Sequence, residues 1–343
     1  MLKNPYRTEE NIHLCPPAPF PSINAEAPLK LLARCPEYSQ TPLHTANFAS
    51  SPHQFFIKDE RQRMGLGSFK ALGAAYVIAH MAQNQKQGTR LNGYVFATAS
   101  AGNHGLSVAA AAQIFGAKSV IFLSKTVPQS FADRLSKLGA DVRRAGDDYE
   151  ASMEAAMQAA DENEWILLSD SSWPDYYELP HRLMEGYLVL AAETAIQMDR
   201  PPTHIFLQAG VGGMAAACAA YFRSVWGNDV QIHVVEPDAA PALYASIEAG
   251  AFQPAANAPL ASPSNMGRLD CKEASLIALN GLARDTDSFI LISDDEVESV
   301  LSELKDAGFE TTPSGGAGIA AALLDKAEIT DDARILCILS ENS

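Results

Sequence analysis

Apolar residues along this chain gather in short runs, separated by longer stretches in which small apolar residues recur at helical spacing. Residues 55–57 (Phe55-Phe56-Ile57) read as a strand leading to Lys58-Asp59-Glu60, and a small-residue helical pattern begins near Ser68. An alternation follows, with strands over 94–98, 119–123 and 165–168, a short strand from Val142, and helices over 105–115, 129–138 and 150–160. The pattern restarts with a strand over 203–207, a helix over 214–222, and strands over 230–235, 289–292 and 335–339. Strands separated by helical patterns imply right-handed crossovers and parallel sheets. Two open α/β units are expected, a small one over 90–172 inserted into a larger one built from 1–89 and 173–343. The first forty or so residues, with Pro16, Pro17, Pro19 and Pro21, show little periodicity and are expected to wrap a surface or a neighbouring subunit.

Composition narrows the classes. A chain of 343 residues exceeds what one hydrophobic core usually organises. A formal charge of −16 argues against nucleic acid and anionic membrane surfaces, which need clustered Lys and Arg. Cys15, Cys35, Cys218, Cys271 and Cys337 are scattered without a Cys-x-x-Cys pair, which argues against a disulfide framework or a zinc site, so no metal is expected. No leader and no run of membrane-spanning length is visible, and a cytoplasmic location is the expectation.

Candidate chemistry centres on Lys70, set among small and apolar residues in Gly65-Leu66-Gly67-Ser68-Phe69-Lys70-Ala71-Leu72-Gly73. Desolvation disfavours an ammonium, and a neutral amine can form a Schiff base with pyridoxal 5'-phosphate. Three loops accompany it. Ser100-Ala101-Gly102-Asn103-His104-Gly105 joins a strand to a helix, where unpaired amides favour a substrate carboxylate, while an ordinary capping turn is the competing reading. Asn103 adds an amide able to donate to a ring oxygen, and His104 reads as a structural histidine or a proton shuttle. Gln208-Ala209-Gly210-Val211-Gly212-Gly213 suits a compact phosphate at a helix N-terminus. A dinucleotide reading is weaker, because Ala215 stands where the third glycine of Gly-x-Gly-x-x-Gly belongs, and only Glu236 lies near the acidic position. The third loop, Thr311-Thr312-Pro313-Ser314-Gly315-Gly316-Ala317-Gly318, runs into an apolar helix.

The order Ser-Phe-Lys, Ser-Ala-Gly-Asn-His-Gly, Gly-Val-Gly-Gly and Pro-Ser-Gly-Gly resembles the fold type II pyridoxal-phosphate enzymes, the group that includes threonine and serine dehydratases and the tryptophan synthase β subunit. Longer stretches resemble the diaminopropionate ammonia-lyases: Lys58-Asp59-Glu60, Ser169-Asp170-Ser171-Ser172-Trp173, Pro202-Thr203-His204 and Val235-Glu236-Pro237-Asp238. The resemblance implies two open parallel-sheet α/β domains, a homodimer and a small amino-acid substrate. It implies that Lys70 carries the cofactor imine and then removes the α-proton. It further implies that Asn103 contacts O3′, that Gly210, Val211, Gly212 and Gly213 cradle the phosphate, and that Ser314 faces the pyridine nitrogen. Ser100, Ala101, Gly102 and His104 would meet the substrate. The implied reaction is β-elimination from 2,3-diaminopropionate to pyruvate and ammonia.

One departure bears on stereochemistry. Family members that act on both enantiomers carry an aspartate just before Gly-Asn-His, where this chain has Ala101, as threonine dehydratases do. L-specific activity is therefore expected. Asp170 ends a predicted strand and could protonate a departing amine, hold a β-ammonium, or simply cap a turn. A serine or threonine dehydratase, a NAD-binding dehydrogenase and an inactive binding protein on the same fold remain the alternatives. The C-terminus follows soon after the last strand, so non-allosteric kinetics are expected.

Overall fold

Nearly all the apolar runs become strands, and all but the two lying outermost run parallel to their neighbours, because helices intervene between them. The computed structural model describes every residue except 8–13, 15, 86, 87, 89, 256–262, 328 and 331. Among the described residues the strands are β1 (Leu2–Lys3), β2 (Leu43–Ala46), β3 (Gln54–Asp59), β4 (Val95–Ala99), β5 (Lys118–Leu123), β6 (Asp141–Arg144), β7 (Ile166–Leu167), β8 (His204–Gln208), β9 (Gln231–Pro237), β10 (Ser288–Ile292) and β11 (Arg334–Leu339). One sheet runs β1-β10-β9-β8-β11-β3-β2, and the other runs β6-β5-β4-β7. Only β1 against β10 and β2 against β3 are antiparallel. Every residue of β8 and β11 is buried, which explains their unbroken apolar character, since a parallel strand covered on both faces has no polar side to show.

The helix Glu178–Gln197 was not evident in the sequence pattern. Leu183, Met184, Tyr187, Leu188, Val189, Leu190, Ala191 and Ala192 are all buried, so its apolar residues form no single stripe. It crosses the helix Lys70–Gln83 at glycines: a Cβ on Gly186 would lie 2.6 Å from Leu72 O, and one on Gly73 would lie 2.7 Å from Tyr187 Cε1. That approach brings the Tyr187 ring against the first turn of the Lys70 helix.

A buried ionic knot secures the same region. Arg63 donates to both oxygens of Glu60 and of Glu193, Lys58 donates to Glu193 Oε2 at 2.7 Å, and Thr41 Oγ1 donates to Glu60 Oε1 at 2.6 Å. It ties β3 and the segment before Lys70 to the helix Glu178–Gln197.

The described part of the N-terminal arm packs on its own chain. Asn4 Nδ2 donates to the Ala283 and Thr286 carbonyls, Asn280 Nδ2 donates to Ala18 O, and a Cβ on Gly281 would meet Pro21 at 2.5 Å. It also contains the short helix Glu26–Leu32. Among the described residues no helix is long and apolar enough to cross a membrane.

Candidate active site

Loops at the carboxyl ends of β4, β7, β8 and β11 meet around Lys70, the arrangement in which open α/β sheets bind ligands. Lys70 is the first residue of the helix Lys70–Gln83, with its amide directed to Ser68 Oγ at 3.3 Å. The turn before it is clamped to the chain end: Phe69 N donates to Ser340 O and Asn342 N donates to Gly67 O. Its Nζ forms an ion pair with Asp170, one hundred positions away, and lies 5.3 and 5.9 Å from the ring centres of Phe69 and Tyr187.

This pairing changes the electrostatics expected from sequence. Burial lowers the Lys70 pKa, but the Asp170 charge, Tyr187 and the hydrogen bond to Asp170 outweigh it, and the ammonium is favoured. Burial likewise pushes Asp170 upward, and the Lys70 and His104 charges with the Lys70 hydrogen bond reverse it, so the carboxylate is held well below its ordinary range. Desolvation alone predicted a neutral amine; the partner supplied by another sheet reverses the sign.

The turn after β4 leads into the helix Asn103–Phe115. Ser100 Oγ accepts from the Gly102 and Gly105 amides, at 3.3 and 3.0 Å. His104 is buried with Nε2 on Leu168 O at 2.8 Å, while its Nδ1 has no partner among the described residues. Burial lowers its pKa. Ala101 is exposed in this turn. Asn103 Nδ2 donates to Glu341 Oε2 at 2.5 Å.

After β8, Gly212 takes φ +94° as the N-cap of the helix Gly213–Trp226, a conformation that favours glycine. Space is as restrictive as the dihedral: a Cβ on Gly212 would lie 2.9 Å from Ala278 Cβ, and one on Gly210 would lie 2.9 Å from Cys271 Sγ. Val211 O accepts from Ser275 N, and Ser275 in turn bonds Ser172, which fastens this turn to the Asp170 loop. The first-turn amides of the helix are thus presented from a rigid glycine turn.

The third loop starts the helix Pro313–Leu323. Thr312 Oγ1 caps it, accepting from Gly315 N at 3.0 Å, and also donates to Glu341 Oε1 at 2.5 Å. Ser314 is buried, its Oγ accepting from Arg268 N at 3.1 Å.

Sequence reasoning missed several neighbours. Glu341, 4% exposed, gathers Asn103, Thr312 and Arg268 on one carboxylate. Tyr187 is buried, and its phenol oxygen makes no hydrogen bond of ordinary geometry among the described residues. The Cys271 thiol is pushed up to about 12 by burial and the Asp170 charge. Tyr149 is half-exposed, yet burial of its phenol end and the charges of Asp170 and Cys271 raise its pKa. No motif marks these residues, because each comes to the cleft from a separate stretch of chain. Glu236, weighed as the acidic position of a dinucleotide site, instead caps the helix Ala242–Ala249, accepting from Leu243 N at 2.8 Å and Tyr244 N at 2.7 Å; burial pushes its carboxyl up to about 8. Buried against the start of that helix, its carboxyl does not stand open to a ribose.

Residues 35–341 match the family described as pyridoxal-phosphate dependent enzyme. The chain belongs to that family. It is 32% identical over 287 residues to the diaminopropionate ammonia-lyase of Salmonella typhimurium, covering 76% of this chain and 70% of the relative. A probable D-serine dehydratase of Rhizobium leguminosarum is 28% identical over 57% of this chain and 49% of its own length. Among solved structures, diaminopropionate ammonia lyase from Escherichia coli in complex with an aminoacrylate-PLP azomethine reaction intermediate superposes with a TM-score of 0.86 at 27% identity, covering 99% of this chain and 93% of that one. The fold is therefore that of the fold type II enzymes, and pyridoxal phosphate is the cofactor. The cleft fits it. The 210–213 turn is packed so closely that only glycine fits at 210 and 212, it presents backbone amides at the start of the helix Gly213–Trp226, and two buried polar atoms without a hydrogen-bond partner of ordinary geometry, Tyr187 Oη and His104 Nδ1, belong to residues within electrostatic reach of the Lys70 amine.

Proposed function

We propose that this protein is a pyridoxal-phosphate-dependent carbon–nitrogen lyase that eliminates the β-amino group of L-2,3-diaminopropionate as ammonia and releases aminoacrylate, which water hydrolyses to pyruvate and a second ammonia. The observation that carries the reading is the Lys70–Asp170 pair, an amine and a carboxylate in contact within a cleft of this family. The bound cofactor supplies an aldehyde that captures amines and a ring that accepts electrons. Lys70 provides the attachment amine, and its Nζ, once neutral, takes the α-proton. Asn103 holds the cofactor's O3′, the 210–213 turn holds its phosphate, and Ser314 presents a hydroxyl to its ring nitrogen. Ser100, Ala101, Gly102 and His104 line the substrate's side. Asp170 is an anion that never needs to carry a proton at neutral pH, so it favours a cationic β-ammonium and holds it in place to depart.

Ala101 bears on selectivity, since its methyl cannot accept a proton, and we assign the activity to L-amino acids. It also favours a second reading, a serine or threonine dehydratase on the same cleft. One experiment covers both: 2-oxo acid release from D- and L-2,3-diaminopropionate, L-serine and L-threonine measured side by side. The L-diamino acid should be turned over fastest; robust D-isomer turnover removes the stereochemical assignment, and faster turnover of serine or threonine selects the dehydratase. A homodimer, resting on the family resemblance, and a cytoplasmic location belong to the same proposal, as does a 90–172 unit inserted into a larger one, a division supported by the separate sheet β6-β5-β4-β7.

A further inference from the structure

The loop expected to receive the substrate's α-carboxylate has fewer free donors than its sequence promises. Ser100 Oγ already accepts from the Gly102 and Gly105 amides, which leaves Ala101, Asn103 and His104 among the described residues to bind an anion. A cation stands beside them. Arg268 Nη1 lies 3.2 Å from where a Cβ on Gly102 would be, and the guanidinium carbon lies 3.8 Å from it. The guanidinium is oriented from behind, with Nε donating to Glu341 Oε2 at 3.1 Å and the Arg268 amide donating to Ser314 Oγ at 3.1 Å. Among the described residues Nη1 and Nη2 make no hydrogen bond, and 41% of the side chain is exposed, so an anion entering the cleft can reach them. Two free Nη groups in a fixed plane match a carboxylate bidentately, which an ammonium cannot do. Among the described residues the two carboxylates of the cleft are already engaged, Asp170 by Lys70 and Glu341 by Arg268 Nε, Asn103 and Thr312.

We infer that Arg268, oriented by Glu341, binds the substrate's α-carboxylate together with the Ala101, Asn103 and His104 amides and so selects free amino acids with an intact carboxylate. The inference rests on the amino-acid lyase reading above. Under it the cleft is polar at both ends, with Asp170 receiving the cationic end of a diamino acid and Arg268 receiving the anionic end. A peptide or amide of the same amino acid loses the second contact.

The test pairs a protein change with a ligand change. L-Alanine, L-alaninamide and L-aspartate, none of which carries a leaving group at the β-carbon, are titrated into holoenzyme while the cofactor absorbance is followed, for wild type, Arg268→Gln and Arg268→Lys. Wild type should prefer alanine over alaninamide by about tenfold to a hundredfold, the scale of a charge-assisted hydrogen-bonded contact. Arg268→Gln should cut that preference by about tenfold, and Arg268→Lys should restore part of it. In turnover, KM for L-2,3-diaminopropionate should rise in Arg268→Gln far more than kcat falls. An unchanged alanine-to-alaninamide ratio in Arg268→Gln overturns the assignment, and a loss confined to L-aspartate overturns it in favour of a side-chain carboxylate. If wild-type holoenzyme responds to no amino acid, the lyase reading itself fails and the inference falls with it, an outcome distinct from a response that Arg268 does not affect.

Discussion

Two charged clusters lie within a few residues of each other in this chain, and they are built to opposite ends. In the knot of Lys58, Glu60, Arg63 and Glu193 each charge is buried, and each is paired at ordinary hydrogen-bond distance. In the cleft, Lys70 and Asp170 satisfy each other while Tyr187 Oη, His104 Nδ1 and the Arg268 Nη groups are left without hydrogen-bond partners among the described residues. A buried polar group without a partner costs free energy, so Tyr187 Oη and His104 Nδ1 are accounted for when a ligand completes them, and the exposed Arg268 Nη groups are open to one. The knot needs nothing further. The difference separates a device that holds the Lys70 segment in place from one that awaits a cofactor and a substrate.

The sharpest way to break the comparison is to remove one charge from each side. Lys70→Ala should lower turnover by roughly a thousandfold or more, the scale of losing a proton-transfer group, and abolish the cofactor attachment that borohydride reduction makes permanent. A residual rate close to wild type would take Lys70 out of the chemistry.

Glu193→Gln should do the reverse. Leaving Arg63 and Lys58 short of an anion costs about 3–5 kcal/mol in unfolding free energy, with the cofactor spectrum of the folded fraction unchanged. Burial raises the Glu193 pKa, but the hydrogen bond and charge of Arg63 and the charge of Lys58 lower it further, for a net depression. Its contribution is therefore present above the ordinary carboxylate pKa and lost as pH falls through the depressed one. Urea unfolding across acidic pH should show a steeper loss in wild type than in the variant; equal slopes would mean that the knot is not what acid undoes.

The smallest and most discriminating change is Asp170→Asn. Without the carboxylate, Lys70 keeps the burial that lowers its pKa and loses the charge and hydrogen bond of Asp170 that raise it, so the amine shifts downward, each pKa unit giving about tenfold more neutral amine. Apoprotein should then capture pyridoxal phosphate faster near neutral pH. Turnover of diaminopropionate should nonetheless fall about tenfold or more, with serine affected less, since only the diamino acid brings a β-ammonium. Equal losses on both substrates would reduce Asp170 to a structural partner of Lys70.

The strands were legible because most of them are buried on both faces, which concentrates apolar residues into short runs that local pattern detects; β4, β5, β8 and β11 lie within a residue or so of where those runs stand. The helix Glu178–Gln197 escaped because burial on all sides erases periodicity, and β7 shrank to Ile166–Leu167 because it pairs only with Phe96 and Ala97 of β4. Helix caps and turns around Lys70, Asn103, Gly212 and Ser314 were also visible, since glycine, serine and proline act locally.

What the sequence settled alone was the order of strands and loops and the presence of one lysine among small residues, because these depend on neighbours in the chain. Which charges face that lysine depended on folding. Asp170 reaches it from one sheet, Glu341 and Arg268 come to the same cleft from segments more than seventy residues apart, and the sign of the Lys70 shift follows from that assembly. Electrostatic energy falls with distance in space and takes no account of distance along the chain, so only the tertiary structure could decide it.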